Sequence, residues 1–318
     1  MSQSALSHKS STRPSLSEGL LCIGALAVWL IVTALFIGFR PEHIFMALLI
    51  VSLFFASPLT RRLTVALVPF FLFGISYDWM NLCPNYMVNP VDTAGLYNAE
   101  KALFGIQTAQ GLLTPNEFFA LHTFSAADFM AGVFYLCWVP VPIFFGLWLY
   151  GRGRRREYLH FAIVFLLVNL IGFAGYYIHP AAPPWYVAGH GFEAIPGTKG
   201  EVAGLAAFGE ITGWNVFDGL YARNSNIFAA LPSLHSAYTL VALIYAVRYR
   251  TGAVWIALLS VITVGIWFTA VYTSHHYMID VIGGIVCAFA GFALFEFVLM
   301  KIPALKNFIN RYVDYING

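Results

Sequence analysis

Two short polar clusters lie within otherwise apolar sequence, and both contain histidine. The first reads LPSLH over Leu231–His235, and the second reads HHYMID over His275–Asp280. Ionisable groups are costly to bury in apolar segments, so each is a candidate for function. His276 and Asp280 are four residues apart and share one face if this segment is helical. A carboxylate in that position can accept the Nδ1 proton and leave Nε2 free as a nucleophile.

The same clusters supply the other groups that a reaction at phosphorus needs. Each precedes an apolar run and is predicted to begin a helix, whose unpaired N–H groups and positive dipole end suit a phosphate. His235 is then placed to act as acid and base on the oxygen that leaves or attacks. We take Ser233, Tyr277, Trp185 and Arg223 as candidates for substrate or phosphate binding.

Each of these residues also has a purely structural interpretation. Asp280 can bond a neighbouring helix, and His275 can face lipid headgroups because adjacent residues lie about 100° apart around a helix. Arg223 can be an ordinary loop charge, and Pro180–Tyr186 a stiff helix exit with an aromatic interface anchor. Three further histidines are interpreted as anchors or packed polar residues: His43, His122 and His160.

The composition defines the elements that must position these groups. Of 318 residues, 59% are apolar and only 10% are charged, whereas about a quarter of a soluble domain is charged. This excludes an ordinary soluble enzyme and a disordered chain, and indicates an all-α, polytopic integral membrane protein. The net charge of +2 indicates no nucleic-acid partner. The four cysteines are far apart and form no CxxC, so no disulfide framework, metal site or cofactor is predicted.

Eight apolar runs are candidate transmembrane helices, since about 20 helical residues cross a bilayer. They are Gly19–Phe39, Ile44–Ser57, Leu63–Trp79, Phe129–Tyr150, Tyr158–Ile178, Pro232–Val247, Ala253–Thr273 and Tyr277–Met300. With both termini cytoplasmic, 13 of the 17 Lys and Arg residues fall on the inner side and four on the outer side. This bias agrees with the positive-inside rule and places both histidine clusters on the outer side.

The chain is accordingly divided into five parts. We expect a mobile cytoplasmic tail (1–18), N-terminal transmembrane helices (19–80), an extracytoplasmic loop with interfacial helices (81–128), a catalytic transmembrane core (129–301) and a cytoplasmic tail (302–318). Thr114-Pro115-Asn116-Glu117 has the spacing of a capping box with Pro at the first helical position. The loop 81–128 is read either as interface packing or as a lid or lipid entrance over the site.

The two clusters resemble the histidine motifs of the type 2 phosphatidic acid phosphatase superfamily. The segment HPAAPPWY (His179–Tyr186), the Pro-Ser-Leu-His form and the doubled His275-His276 followed by Tyr277 are most similar to its aureobasidin-resistance branch, which contains the inositol phosphorylceramide synthases. The resemblance implies a six-helix catalytic core. It also implies His276 as nucleophile, Asp280 as its orienting partner and His235 as acid/base.

Departures from the phosphatase pattern bear on the substrate. The phosphatases carry Lys-x6-Arg-Pro before the first histidine motif and an Arg six residues before the nucleophile, but residues 158–198 hold no Lys or Arg and position 270 is Ala270. A phosphomonoester carries nearly two negative charges and suits Arg clamps. A site with few cations is better matched to a phosphodiester donor, which favours transfer over hydrolysis.

The resemblance therefore implies a membrane phosphotransferase that moves phosphoinositol from phosphatidylinositol to ceramide and releases diacylglycerol. The rival within the family is a lipid phosphate phosphatase that uses water as acceptor. Two further rivals are a metal-dependent transferase using His275, His276 and Asp280, and a transporter or channel using His and Asp as a proton relay. The site is expected on the periplasmic or lumenal side, with a bacterial inner membrane favoured by the absence of long cytoplasmic domains.

Overall fold

Most of the described protein is helical. A computed structural model describes residues 13–221 and 226–318. The α-helices of these residues are α1 (Leu16–Phe36), α2 (Pro41–Ala56), α3 (Pro58–Ala66), α4 (Val68–Trp79), α5 (Gly95–Phe104), α6 (Pro115–Leu121), α7 (Ser125–Leu136), α8 (Pro140–Gly151), α9 (Arg155–Ile178), α10 (Pro184–His190), α11 (Ala206–Thr212), α12 (Val216–Tyr221), α13 (Leu234–Arg248), α14 (Ala253–Tyr272), α15 (Met278–Ala293) and α16 (Pro303–Asn317). A hairpin of β1 (Ile106–Thr108) and β2 (Gly111–Leu113) joins α5 to α6.

All eight predicted apolar runs are helical, although not all are single straight spans. In the described chain four helices are long and apolar enough to cross a membrane: α1, α9, α14 and α15 extended to Lys301. The pairs α3–α4 and α7–α8 each pass the same test together but bend by 47° and 44°. Pro69 and Pro140 lie at the breaks, and proline interrupts a helix because it lacks the N–H donor and clashes with the preceding turn. The predicted all-α polytopic bundle is confirmed.

Close helix contacts bring the two histidine clusters together. Helix α13 packs against α9, α14 and α15. A Cβ atom on Gly284 of α15 would lie 2.1 Å from the Ser233 carbonyl oxygen, and one on Gly172 of α9 would lie 2.5 Å from Leu234. Ala288, one turn beyond Gly284, is fully buried. Small residues here let neighbouring helices approach closely.

Three extended segments pair with one another at the end of the bundle that carries the histidines. Asp92 pairs with Ala181, and Ala181 pairs with Ala229, in successive parallel bridges. The Ala182 amide donates to the Asp92 carbonyl at 2.9 Å, and the Ala230 amide donates to the Ala181 carbonyl at 3.2 Å. The loop 81–128, the proline-rich segment and the approach to α13 therefore form one hydrogen-bonded unit beside the histidines.

Both ends of the chain differ from the sequence prediction. Helix α1 begins at Leu16, with a capping box between Ser15 and Glu18, and so starts inside the expected tail; residues 1–12 lie outside the described residues. The segment 302–318, predicted as a cytoplasmic tail, contains α16, which buries Ile309, Val313 and Ile316. These positions share one face, so an amphipathic helix docks there on the bundle.

Candidate active site

The site is built around two histidines that the helix ends bring into contact. His235 lies in the first turn of α13, and His276 lies two residues before α15. His235 Nδ1 is 3.1 Å from His276 Nε2. Trp138, in the break between α7 and α8, contacts the His235 ring at a centroid distance of 4.3 Å. The pair predicted from the spacing of the two clusters is therefore adjacent in the fold.

The hydrogen bonds of His276 define its tautomer. Its Nδ1 is 3.0 Å from the Ala230 carbonyl oxygen and 3.5 Å from Asp280 Oδ2. A carbonyl oxygen only accepts, so Nδ1 carries the proton and Nε2 presents its lone pair toward His235. His235 Nδ1 is then the donor in the contact between the two rings. The sequence assigned the orienting role to Asp280 alone, and no local signal indicates the Ala230 carbonyl.

Asp280 connects the nucleophile segment to the helix that follows it. Its side chain is fully buried. Oδ2 accepts from the Tyr277 amide at 2.8 Å, and the Asp280 carbonyl accepts from the Ser233 amide at 2.9 Å. One residue thus contacts the start of α15, the start of α13 and the His276 ring.

The N-terminus of α15 is not an open phosphate site, so that sequence prediction is wrong. The Glu100 carboxylate on α5 accepts from the Met278 amide at 2.9 Å and from the Ile279 amide at 3.1 Å. With the Tyr277 amide bound to Asp280, the first donors of the helix are already occupied by carboxylates. Burial raises the pKa of Glu100, and the nearby Asp280 charge raises it further, while the two amide bonds oppose this shift.

The four predicted binding residues have different outcomes. Ser233 is fully buried as the N-cap of α13, where its hydroxyl accepts from the Ser236 amide. Tyr277 is also buried and packs with Leu96 away from the cavity wall. Neither side chain is placed to touch a substrate, because local capping and packing occupy both. Trp185 does line the cavity, and Arg223 lies outside the described residues.

A cavity of about 140 Å³ lies directly beside the two histidines. One water molecule occupies roughly 10–15 Å³ on this measure, so the space accommodates a small polar group rather than acyl chains. No Lys, Arg, Asp or Glu of the described residues lines it. The wall is formed by Phe73, Tyr77, Tyr135, Trp138, Phe173, Tyr176, Pro183, Trp185, Leu220, Tyr221, Asn226, Ile227, Ala229, Ala230, Leu234, His235, Tyr238, His275 and His276.

His275 belongs to this wall and does not face outward, which corrects the alternative of a headgroup contact. Its ring packs on Tyr221 at a centroid distance of 4.6 Å, and its Nδ1 is 2.9 Å from Thr273 Oγ1. Burial, assisted by the neighbouring His276, lowers the pKa of His275 to about 3. Tyr221 in turn donates to the Tyr135 hydroxyl at 2.6 Å. The wall therefore offers neutral hydrogen-bonding groups on aromatic rings.

Comparison with known proteins identifies the family. The profile of the PAP2 superfamily matches residues 96–294, which includes both histidine clusters and every residue of the cavity wall except Phe73 and Tyr77. The chain belongs to the PAP2 superfamily. The match confirms the resemblance that the histidine motifs indicate and sets aside the transporter or channel interpretation.

Individual relatives within the PAP2 superfamily are synthases. The chain is 58% identical over 303 residues to a phosphoinositol dihydroceramide synthase of Bacteroides thetaiotaomicron, covering 95% of this chain and 99% of the relative. It is 27% identical over 268 residues to an inositol phosphorylceramide synthase of Candida albicans, covering 82% and 54%. It is 30% identical over 138 residues to an inositol phosphorylceramide synthase catalytic subunit of Saccharomyces cerevisiae. That match covers 42% of this chain and 33% of the relative. No solved structure matches the chain significantly. This PAP2 protein is an enzyme of the lipid phosphotransferase type.

At position 270, where the phosphatases carry an arginine, this PAP2 chain has alanine. The Ala270 carbonyl accepts from the His275 amide at 3.1 Å and from the His276 amide at 2.9 Å. Position 270 thus holds the backbone of His275 and His276 through its own carbonyl, and its side chain is fully buried. The charge that a phosphatase places there is absent from the described cavity wall.

Proposed function

We propose that this enzyme transfers phosphoinositol from phosphatidylinositol to the primary hydroxyl of a ceramide-type acceptor and releases diacylglycerol. The observation that carries the proposal is the 58% identity to a phosphoinositol dihydroceramide synthase along 99% of that protein, together with the paired histidines. The enzyme class is established by the family, and the donor headgroup and acceptor are the proposed part.

The chemistry follows from the geometry of the histidine pair. The Nε2 lone pair of His276 attacks phosphorus, the bond from phosphorus to the diacylglycerol oxygen breaks, and His235, protonated as the imidazolium, gives a proton to that oxygen and becomes neutral. A phosphohistidine carrying the inositol headgroup remains. His235 then removes the proton from the acceptor hydroxyl, whose oxygen attacks phosphorus and returns the electron pair to His276. One acid/base group serves both halves because the second half reverses the first.

The uncharged cavity supports a phosphodiester donor. A phosphodiester brings one negative charge, whereas a phosphomonoester brings nearly two and needs cationic partners to leave water. The described wall supplies hydroxyl, amide and imidazole groups but no Lys, Arg, Asp or Glu side chain. Such groups match a polyol headgroup and a single negative charge, and we propose Trp185 as part of the headgroup-binding surface.

We also propose that the site faces the extracytoplasmic side of a bacterial inner membrane, with both termini in the cytoplasm. The distribution of Lys and Arg, 13 of 17 on the inner side, supports this orientation. The match to a Bacteroides thetaiotaomicron protein supports a bacterial membrane.

Purified enzyme in liposomes tests the proposal. It is supplied with phosphatidylinositol, with and without ceramide or dihydroceramide, and with phosphatidic acid in a parallel reaction. Mass spectrometry of the lipids is expected to show inositol phosphorylceramide and matching diacylglycerol only when both substrates are present. The His276→Ala and His235→Ala variants are expected to form neither product. Release of phosphate from phosphatidic acid without headgroup transfer would instead identify a phosphatase.

A further inference from the structure

Two buried polar side chains of the outer loop hold the segment that carries the nucleophile. Glu100 on α5 is fully buried, and Asn116 on α6 is 3% exposed. Neither lines the cavity, and neither belongs to a histidine motif. Burying a carboxylate and an amide is costly unless their hydrogen bonds are made. Their partners therefore show what the loop is fixed to.

Asn116 joins the end of α14 to the nucleophile. Its Nδ2 donates to the Val271 carbonyl at 2.8 Å and to the His276 carbonyl at 2.9 Å. The Ala270 carbonyl binds the His276 amide from the other side. The backbone of His276 is thus held at both its N–H and its C=O. Because these two bonds fix the orientation of the His276 backbone, Asn116 helps to set the direction of its Cα–Cβ bond and so the position of the imidazole ring.

Glu100 fixes the helix on the other side of the nucleophile. Its two oxygens accept from consecutive amides at the start of α15, Met278 and Ile279. A carboxylate at a helix N-terminus is stabilised by the helix dipole, and the two-point contact sets the rotation of the helix as well as its position. Rotation of α15 moves Asp280 relative to the His276 ring, because Asp280 is carried by its first turn.

We propose that Glu100 and Asn116 are positioning residues, which orient the His276 ring for attack on phosphorus; this rests on the proposed role of His276 as nucleophile. Through these two side chains the loop 81–128 holds His276 and the start of α15 in place, and we call this set of contacts the clamp. A misplacement of about 1 Å at a reacting group costs on the order of 10²-fold in rate. The loss is expected in kcat, because neither side chain touches the substrate.

Two isosteric variants test the proposal. Glu100→Gln keeps one acceptor oxygen but turns an NH2 group toward a backbone amide. Asn116→Asp replaces the shared donor by a carboxylate facing two carbonyls. Both are expected to lower kcat for headgroup transfer by about 10²-fold with the KM for phosphatidylinositol unchanged. The control is Glu117→Gln, in the same loop, because glutamine also satisfies the capping box that Glu117 forms with Thr114. It should keep wild-type kcat.

A readout without substrate separates this proposal from the proposed function. Nitrogen NMR of histidine-labelled protein in nanodiscs is expected to show His276 as a single Nδ1–H tautomer in the wild type and a mixture in both variants. If the wild-type enzyme shows the single tautomer but transfers no headgroup from phosphatidylinositol to ceramide, the proposed lipid substrates are refuted. The clamp is still supported in that case. The clamp would be refuted if both variants kept the wild-type kcat and the wild-type tautomer of His276. It would also be refuted if activity fell only in proportion to the amount of folded protein.

Discussion

Replacing Gly284 by alanine should separate the two catalytic helices. The added Cβ would lie 2.1 Å from the Ser233 carbonyl oxygen and 3.1 Å from Ser236 Cβ. Ordinary contact begins at 3.4 Å, so α15 must move by about 1.3 Å relative to α13. The atom in the way belongs to the main chain, and it cannot rotate aside as a side chain would.

The required movement is large compared with the site geometry. It would stretch the 2.9 Å bond between the Ser233 amide and the Asp280 carbonyl and widen the 3.1 Å contact between His235 and His276. A shift of about 1 Å costs on the order of 10²-fold in rate. Overpacking in a core also destabilises a protein by about 1–3 kcal/mol. We therefore expect Gly284→Ala to reduce kcat about 100-fold and to lower the thermal unfolding temperature.

The assay is the initial rate of headgroup transfer in nanodiscs, divided by the amount of folded protein found by size-exclusion chromatography. Gly74→Ala in α4 is the matched control, because nothing lies within 4 Å of its added Cβ; it should keep full activity. Gly283→Ala should fall between the two, since its nearest atom, at 2.8 Å, is the mobile end of Leu231. A folded Gly284→Ala enzyme with wild-type kcat would refute the argument from helix approach.

Four further outcomes are expected. Asp280→Asn should leave trace transfer activity, since the Ala230 carbonyl still binds His276 Nδ1 at 3.0 Å; activity no higher than in His276→Ala would contradict this. Because the folded pKa of His275 is about 3 against an ordinary 6.5, its contribution to stability is complete above pH 6.5. That contribution falls by up to about 1.4 kcal/mol per pH unit as pH drops toward 3, and acid unfolding of His275→Asn should show a smaller slope. Transfer should persist in EDTA, as the described residues contain no group of three His, Cys, Asp or Glu side chains able to hold a metal ion; reversible loss of activity would refute it. Arg223→Gln should raise the KM for phosphatidylinositol more than it lowers kcat if Arg223 binds phosphate, and an unchanged KM would make it an ordinary loop charge.

The parts of the site that the sequence predicts correctly are those that leave a recognisable pattern in residues close together along the chain. His235 and His276 are 41 positions apart in sequence, and the segment between them contains one hairpin of two apolar runs, which returns the chain to the same side of the bundle. The capping box at Thr114 has its own four-residue pattern and is confirmed at the start of α6.

The remaining parts depend on contacts between distant segments. Glu100 was only one polar residue of an amphipathic helix, and its partners lie 178 and 179 residues later. The cap position of Ser233 and the packing of Tyr277 against Leu96 were not predictable, because a motif gives the order of residues but not the direction in which each side chain turns. Helix α16 has a signal in the helical spacing of Ile309, Val313 and Ile316, which the division of the chain into parts did not use.

The bond between Glu100 and the start of α15 also determines the order in which the site is assembled. Ribosomes add about 5–20 residues per second, so the 178 residues that separate Glu100 from Met278 take roughly 10–40 s to synthesise. Throughout that interval the Glu100 carboxylate has no α15 helix end to bind. The outer loop is therefore translated before most of the bundle, yet it becomes fixed only when α15 is inserted.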